Sequence, residues 1–182
     1  MSDYQYPPLS PGPDSIRLLR LTPNEDETAD IQCELVEYSL QESSKGTHLY
    51  EASSYVWGSQ ETPEFISIGK HNLLVTANLH AALSRLRDRS FERIIWADFV
   101  CINQKDKEGE KERQIQSMTK IYGQANRVIV YLGDAADDSD QALQDIRAAA
   151  EDGPTNSSIS EKTQKAILKL FKRPWFQRIW VS

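Results

Sequence analysis

Two cysteines among 182 residues, Cys33 and Cys101, are too few and too far apart for a disulfide framework or a zinc site. The three histidines, His48, His71 and His80, stand at no recognisable spacing to either thiol, so the sequence supports no Cys/His pair and no metal set. Lys and Arg together number 21 against 27 Asp and Glu. That balance excludes a general nucleic-acid surface, which needs a basic face. It leaves room for a small anion, because a few cations and local dipoles suffice to hold a phosphate. No apolar run approaches the roughly 20 residues of a membrane-spanning helix. The opening "MSDYQYPPLSPGPDS" lacks the basic-then-apolar order of a secretory signal and reads as a disordered Pro-rich lead over 1–14. A reduced, cytoplasmic protein is the expectation. With 39% hydrophobic and 26% charged residues, the remainder, 15–182, suits one folded domain.

Alternation dominates the first half. "SIRLLRL" (15–21) and "IQCELVEYSL" (31–40) predict two strands around an acidic turn, with Ile31, Cys33 and Leu35 alternating against Gln32 and Glu34. "LYEASSYVWG" (49–58) predicts a short strand stopped by glycine, and "PEFISIGKHNLLVT" (63–76) a strand, turn and strand. The period then changes. Leu79, Ala82, Leu83 and Leu86 form one stripe of a helix that Thr76 or Asn78 can cap. "RIIWADFV" (93–100) reads as a strand covered on both faces. "EKERQIQSMTKIYGQA" (110–125) reads as a helix with Ile115, Met118, Tyr122 and Ala125 on its apolar face. "NRVIVYLG" (126–133) predicts a further buried strand, and 137–152 and 160–171 predict helices, the second stopped by Arg173-Pro174. The order predicts an α/β fold: an open, mostly parallel sheet with flanking helices and an added N-terminal antiparallel hairpin.

Ligands of such sheets bind beyond the carboxyl ends of the strands. There the prediction gathers Ser54, Tyr55, Trp57 and Gly58 from one strand, Asp98, Cys101, Asn103 and Gln104 from the next, and Gly133 from the last. Each residue has a functional and a structural reading. Trp57 offers a stacking surface or closes the core, and Gly58 permits a sharp exit and close backbone approach. Asp98 orients a ligand hydroxyl or holds a loop amide. Asn103 and Gln104 bind a ligand or shape their own loop, and Cys101 is a reactive thiol or an inert buried one. Asp106 is a helix cap. Glu108, Glu110 and Glu112 are a solvated face beside a helix start. In the tail "RPWFQRIWVS", Trp175, Arg178 and Trp180 read as an aromatic latch, with Arg178 free to meet an acid.

The blocks "YEASSYVWG", "VTANLHAALSRLR", "IIWADFVCINQKDKEGEKERQIQSMTKIYGQANRVIVYLG" and "RPWFQRIWV" resemble, in order and spacing, those of the fungal heterokaryon-incompatibility (HET) domain, over roughly 15–182. The resemblance implies a cytoplasmic effector of fungal non-self recognition and programmed cell death. Such an effector would act through assembly with itself or with other HET or sensor proteins. HET domains in turn resemble TIR domains, which implies a flavodoxin-like fold, with "VIVYLG" as a central strand and NAD as a candidate substrate. The family block at "RPWFQRIWV" runs on into a Gln-Glu pair, whose Glu is the counterpart of the TIR catalytic carboxylate. The sequence ends before it, at Val181-Ser182, and the expectation is a truncated domain. A catalytically inactive HET paralogue acting as a binding or regulatory module is the alternative.

Overall fold

The computed structural model describes residues 4–12, 14–41, 49–107, 109–152 and 160–178. They fall into two units, 1–131 and 132–182. The first carries a seven-stranded sheet: β1 (Ser15–Leu21), β2 (Gln32–Ser39), β3 (Glu51–Ser54), β4 (Glu64–Ile68), β5 (His71–Val75), β6 (Arg93–Trp96) and β7 (Arg127–Val130). Their spatial order is β5-β4-β2-β1-β6-β3-β7.

The expected hairpin forms, with Ser15 opposite Ser39 and Leu21 opposite Cys33. It is no peripheral addition, because β1 stands at the centre of the sheet. That position buries both of its faces, with Ile16, Leu18, Leu19 and Leu21 at most 2% exposed. The sheet is mixed rather than mostly parallel. β2–β4, β3–β6 and β3–β7 are parallel, while β1–β2, β1–β6 and β4–β5 are antiparallel. The parallel block β6-β3-β7 lies at one side. Glu51 at the start of β3 pairs with Arg93 of β6 and Arg127 of β7, tying these three strands together. β7 is an edge strand and not the buried central one expected, so Val128 and Val130 stay exposed.

Helix α1 (Ala77–Leu86) follows the predicted stripe, burying Leu79, Ala82 and Leu83. Of the two predicted caps Thr76 is used: its hydroxyl accepts from the Leu79 N–H at 3.2 Å. Thr76→Ala is expected to cost about 1 kcal/mol, as N-cap losses do, read as a lower urea midpoint at unchanged slope.

Two predicted elements are broken. The run 93–100 is a strand only to Trp96; Asp98–Cys101 coils into one helical turn, α2. Here the Ala97 carbonyl accepts from the Val100 and Cys101 amides, and Asp98 Oδ1 caps the Phe99 amide at 2.8 Å. The helix expected over 110–125 is two, α3 (Glu110–Gln116) and α4 (Met118–Gln124), meeting at Ser117. The break rotates α3, so Ile115 is 50% exposed and Gln114 only 4%. Gln114 Nε2 donates to the Ser15 carbonyl at 2.8 Å.

The described residues of the Pro-rich lead form no helix or strand, yet they are anchored. Tyr4 N–H donates to the Asn72 carbonyl, the Tyr6 hydroxyl to the Val100 carbonyl, and Ser10 N–H to Glu37 Oε1. Arg17 donates to the Pro7 carbonyl at 2.7 Å while its guanidinium lies over the Tyr6 ring. The same guanidinium forms a two-point pair with Glu110, at 2.6 and 2.9 Å. Glu110 is therefore not part of a solvated face. A contact 93 residues apart leaves no periodic trace in sequence.

The second unit contains α5 (Ser139–Asp152), α6 (Glu161–Phe171) and a 3₁₀ turn, Pro174–Gln177. Ser160 caps α6 through the Thr163 amide, and the Thr163 hydroxyl donates to Asp145 at 2.7 Å, joining the two helices.

Candidate functional site

β3 and β6 run parallel, Ala52 beside Trp96, so both chains leave the sheet at the same edge. β3 continues as Tyr55-Val56-Trp57-Gly58, and β6 turns into α2 at Asp98. The two exits meet at the Asp98 carboxylate. Its Oδ1 accepts from the Tyr55 hydroxyl at 3.0 Å. Trp57 Nε1 spans both oxygens, 3.1 Å from each. Burial first, and the Asp98 carboxylate next, push the Tyr55 phenol well above its ordinary pKa. It is therefore a fixed neutral donor. With the Phe99 amide as a third donor, Asp98 holds the loop rather than standing free to attack or protonate a ligand.

Above that carboxylate the Trp57 and Phe99 rings meet edge to face, centroids 5.1 Å apart. Gly58 makes the turn that allows this, at φ +73°; a Cβ there would come within 2.8 Å of the Asn78 amide, whose Nδ2 donates to the Val56 carbonyl. Gln104 Nε2 reaches back to the carbonyls of Asp98 and Ile102, at 3.0 and 3.2 Å, closing the loop after α2. Asn103 Oδ1 accepts from the Lys105 amide. The cap position of α3 is held by Gly109 and not by Asp106 as expected; Asp106, three residues earlier, still accepts from the Lys111 amide at 3.0 Å.

These residues wall a cleft of about 600 Å³ lined by Trp57, Phe99, Asn103, Gln104, Lys105 and Lys111, together with Tyr4 and Tyr6 of the lead. Asn72 also lines it, and its buried Oδ1 has no partner among the described residues. No described carboxylate is among the lining side chains. Sequence reasoning missed Tyr4, Tyr6, Phe99 and the two lysines. The Tyr-Gln-Tyr triplet in a Pro-rich lead was the only local signal for the first two.

The other expected residues divide. Ser54 is the last residue of β3, and its carbonyl accepts from the Tyr131 amide at 2.9 Å. Cys101 is fully buried, its sulfur 3.4 Å from the Ala97 amide, and burial pushes its thiol up to about 12. Cys33 is likewise raised to about 12 by burial. Neither thiol should react with iodoacetamide at pH 8 in the native protein, and both should in urea; mass spectrometry of the labelled protein reads this directly. Gly133 belongs to the second unit, at φ +95°, with its carbonyl 3.4 Å from Arg173 Nη1. Of the latch, Trp175 stacks edge to face on Phe176, and the Arg178 amide donates to the Trp175 carbonyl. Trp180 lies outside the described residues. No three His, Cys, Asp or Glu side chains among the described residues are grouped to hold a metal.

The protein-family model described as "Heterokaryon incompatibility protein (HET)" matches residues 50–182, from β3 onward, and so includes the cleft residues from Trp57 to Lys111 but not Tyr4 and Tyr6 of the lead. The chain belongs to the heterokaryon incompatibility (HET) family. A similar protein is "Heterokaryon incompatibility protein 6, OR allele" of Neurospora crassa, 32% identical over 162 residues, covering 82% of this chain. The match takes in 23% of that protein's own length, so this HET chain corresponds to about a quarter of it. No solved structure matches. No helix among the described residues is long and apolar enough to cross a membrane.

Proposed function

We propose that this HET chain serves heterokaryon incompatibility as a cytoplasmic death-effector module whose Trp57 cleft binds a nucleotide, with NAD as the first candidate. One observation carries the ligand assignment: aromatic rings, amides and two lysines line one cleft at the carboxyl ends of parallel strands, held open by the Asp98 network. Rings stack on a base, amides answer ribose hydroxyls, and ammonium groups pair with phosphate. A volume of about 600 Å³ is within the range of small-molecule sites. The parallel β6-β3-β7 block supports a flavodoxin- or TIR-like reading of this side of the sheet. Assembly with further copies or with sensor proteins would couple ligand binding to cell death.

A binding role is favoured over cleavage. Scission at the nicotinamide–ribose bond calls for a carboxylate facing the anomeric carbon, and Asp98 already takes three donors outside the lining of the cleft. Calorimetric titration with NAD, beside an assay for released nicotinamide, tests this. Binding without release, weakened about tenfold or more in Trp57→Leu as loss of a stacking platform predicts, is the expected result. Release by the wild-type chain would restore the enzyme reading, and no heat of binding would remove NAD as the ligand.

A further inference from the structure

A second cavity, of about 910 Å³, opens between the Pro-rich lead and the segment from Asn103 to Gln114. It adjoins the Trp57 cleft, since Tyr6, Asn103 and Lys105 line both. Its chemistry differs. Three cations line it, Lys105, Lys107 and Arg113, and none has a carboxylate partner among the described residues. Of the two acids among its described lining residues, Glu110 spends both oxygens on Arg17, and Asp106 takes the Lys111 amide. A chain with a net charge of −6 thus turns a locally cationic surface into this hollow.

Gln114 supplies the second, independent observation. It is 4% exposed and lines the cavity. Its Nε2 donates to the Ser15 carbonyl, which needs a donor and so fixes which way the amide points. That leaves Oε1 buried with no partner among the described residues. Buried acceptors are almost always satisfied in native proteins, so this one calls for a donor from an ordered water or from a ligand. An inorganic anion would answer the three cations and leave Oε1 unpaired. A ligand carrying both a phosphate and hydroxyl donors would answer both.

We propose that this cavity is a binding site for a soluble phosphorylated sugar or polyol, the phosphate on Lys107 and Arg113, with Lys105 at the border shared with the Trp57 cleft, and a hydroxyl donating to Gln114 Oε1. The lead forms the outer wall through Tyr6 and the segment 8–12. Occupancy would therefore brace the lead against the body of the protein, beside the Trp57 cleft.

Calorimetry on the full chain with glucose 6-phosphate, inorganic phosphate and glucose tests the site. Glucose 6-phosphate is expected to bind at least about fivefold tighter than inorganic phosphate, and glucose not measurably. Lys107→Ala with Arg113→Ala, both at exposed positions, should weaken both phosphates by about tenfold or more. Gln114→Leu should bring glucose 6-phosphate down to the affinity of inorganic phosphate while leaving the latter unchanged. If that variant does not fold, the exposed double variant and the three-ligand comparison still decide. Equal affinity for the two phosphates, no binding of either, or wild-type binding by the double variant would overturn the proposal. So would loss of binding in Trp57→Leu with retention in the double variant, which would place the ligand in the neighbouring cleft.

Discussion

Asp98→Ala is expected to lower the unfolding free energy by about 3 kcal/mol, because hydrogen bonds to a charged acceptor contribute about 1.5–3 kcal/mol and a stranded buried donor adds its own desolvation cost. The donor that loses its Asp98 acceptor is the Tyr55 hydroxyl, on a residue only 2% exposed. The freed ring is Trp57, whose indole loses contacts at 3.1 Å to both oxygens. Its fluorescence should therefore shift to the red in a variant that is still folded. Asp98→Asn separates charge from shape. The amide keeps one acceptor for Tyr55 and Phe99 but turns a donor toward Trp57 Nε1, so about half the loss is expected. A loss below about 1 kcal/mol in Asp98→Ala would mean that the network does not hold the loop.

Arg17→Met should cost about 3–5 kcal/mol, the usual result of leaving one member of a buried ion pair uncompensated. The side chains of Arg17 and Glu110 are 3% and 12% exposed, so Glu110 would have little water to turn to. The Pro7 carbonyl and the Tyr6 ring lose the same guanidinium, and limited proteolysis should then cut within 4–12 first. The double variant Arg17→Met/Glu110→Leu should regain most of the loss, because apolar groups of similar size replace buried pairs at little cost. Urea unfolding of the two single variants and the double variant closes the cycle. A small loss in Arg17→Met, with no gain in the double variant, would contradict the clamp.

What could be read in advance followed local periodicity. The hairpin β1–β2, the β4–β5 turn and α1 with its Thr76 cap each carry their signal within a few residues. Ambiguity entered where an apolar run fits more than one element: "RIIWADFV" cannot by composition be told from a strand that stops at Trp96 and turns. Ser117 breaks a helix without glycine or proline, so nothing in the pattern announced that Ile115 would face outward. The meeting of Tyr55, Trp57 and Asp98 was legible as a shared strand edge, whereas their mutual hydrogen bonding was not. The contacts of Tyr4, Tyr6, Arg17 and Glu110 join segments far apart in the chain, and sequence periodicity is blind to these.

The most direct test of the account is the indole N–H resonance of Trp57 in a nitrogen-15 spectrum, assigned with Trp57→Phe and followed as NAD is added. The Trp57 cleft reading predicts a saturable shift of that signal, with the buried Trp96 indole unmoved. A spectrum in which NAD leaves Trp57 where it is, or moves other signals first, would contradict it.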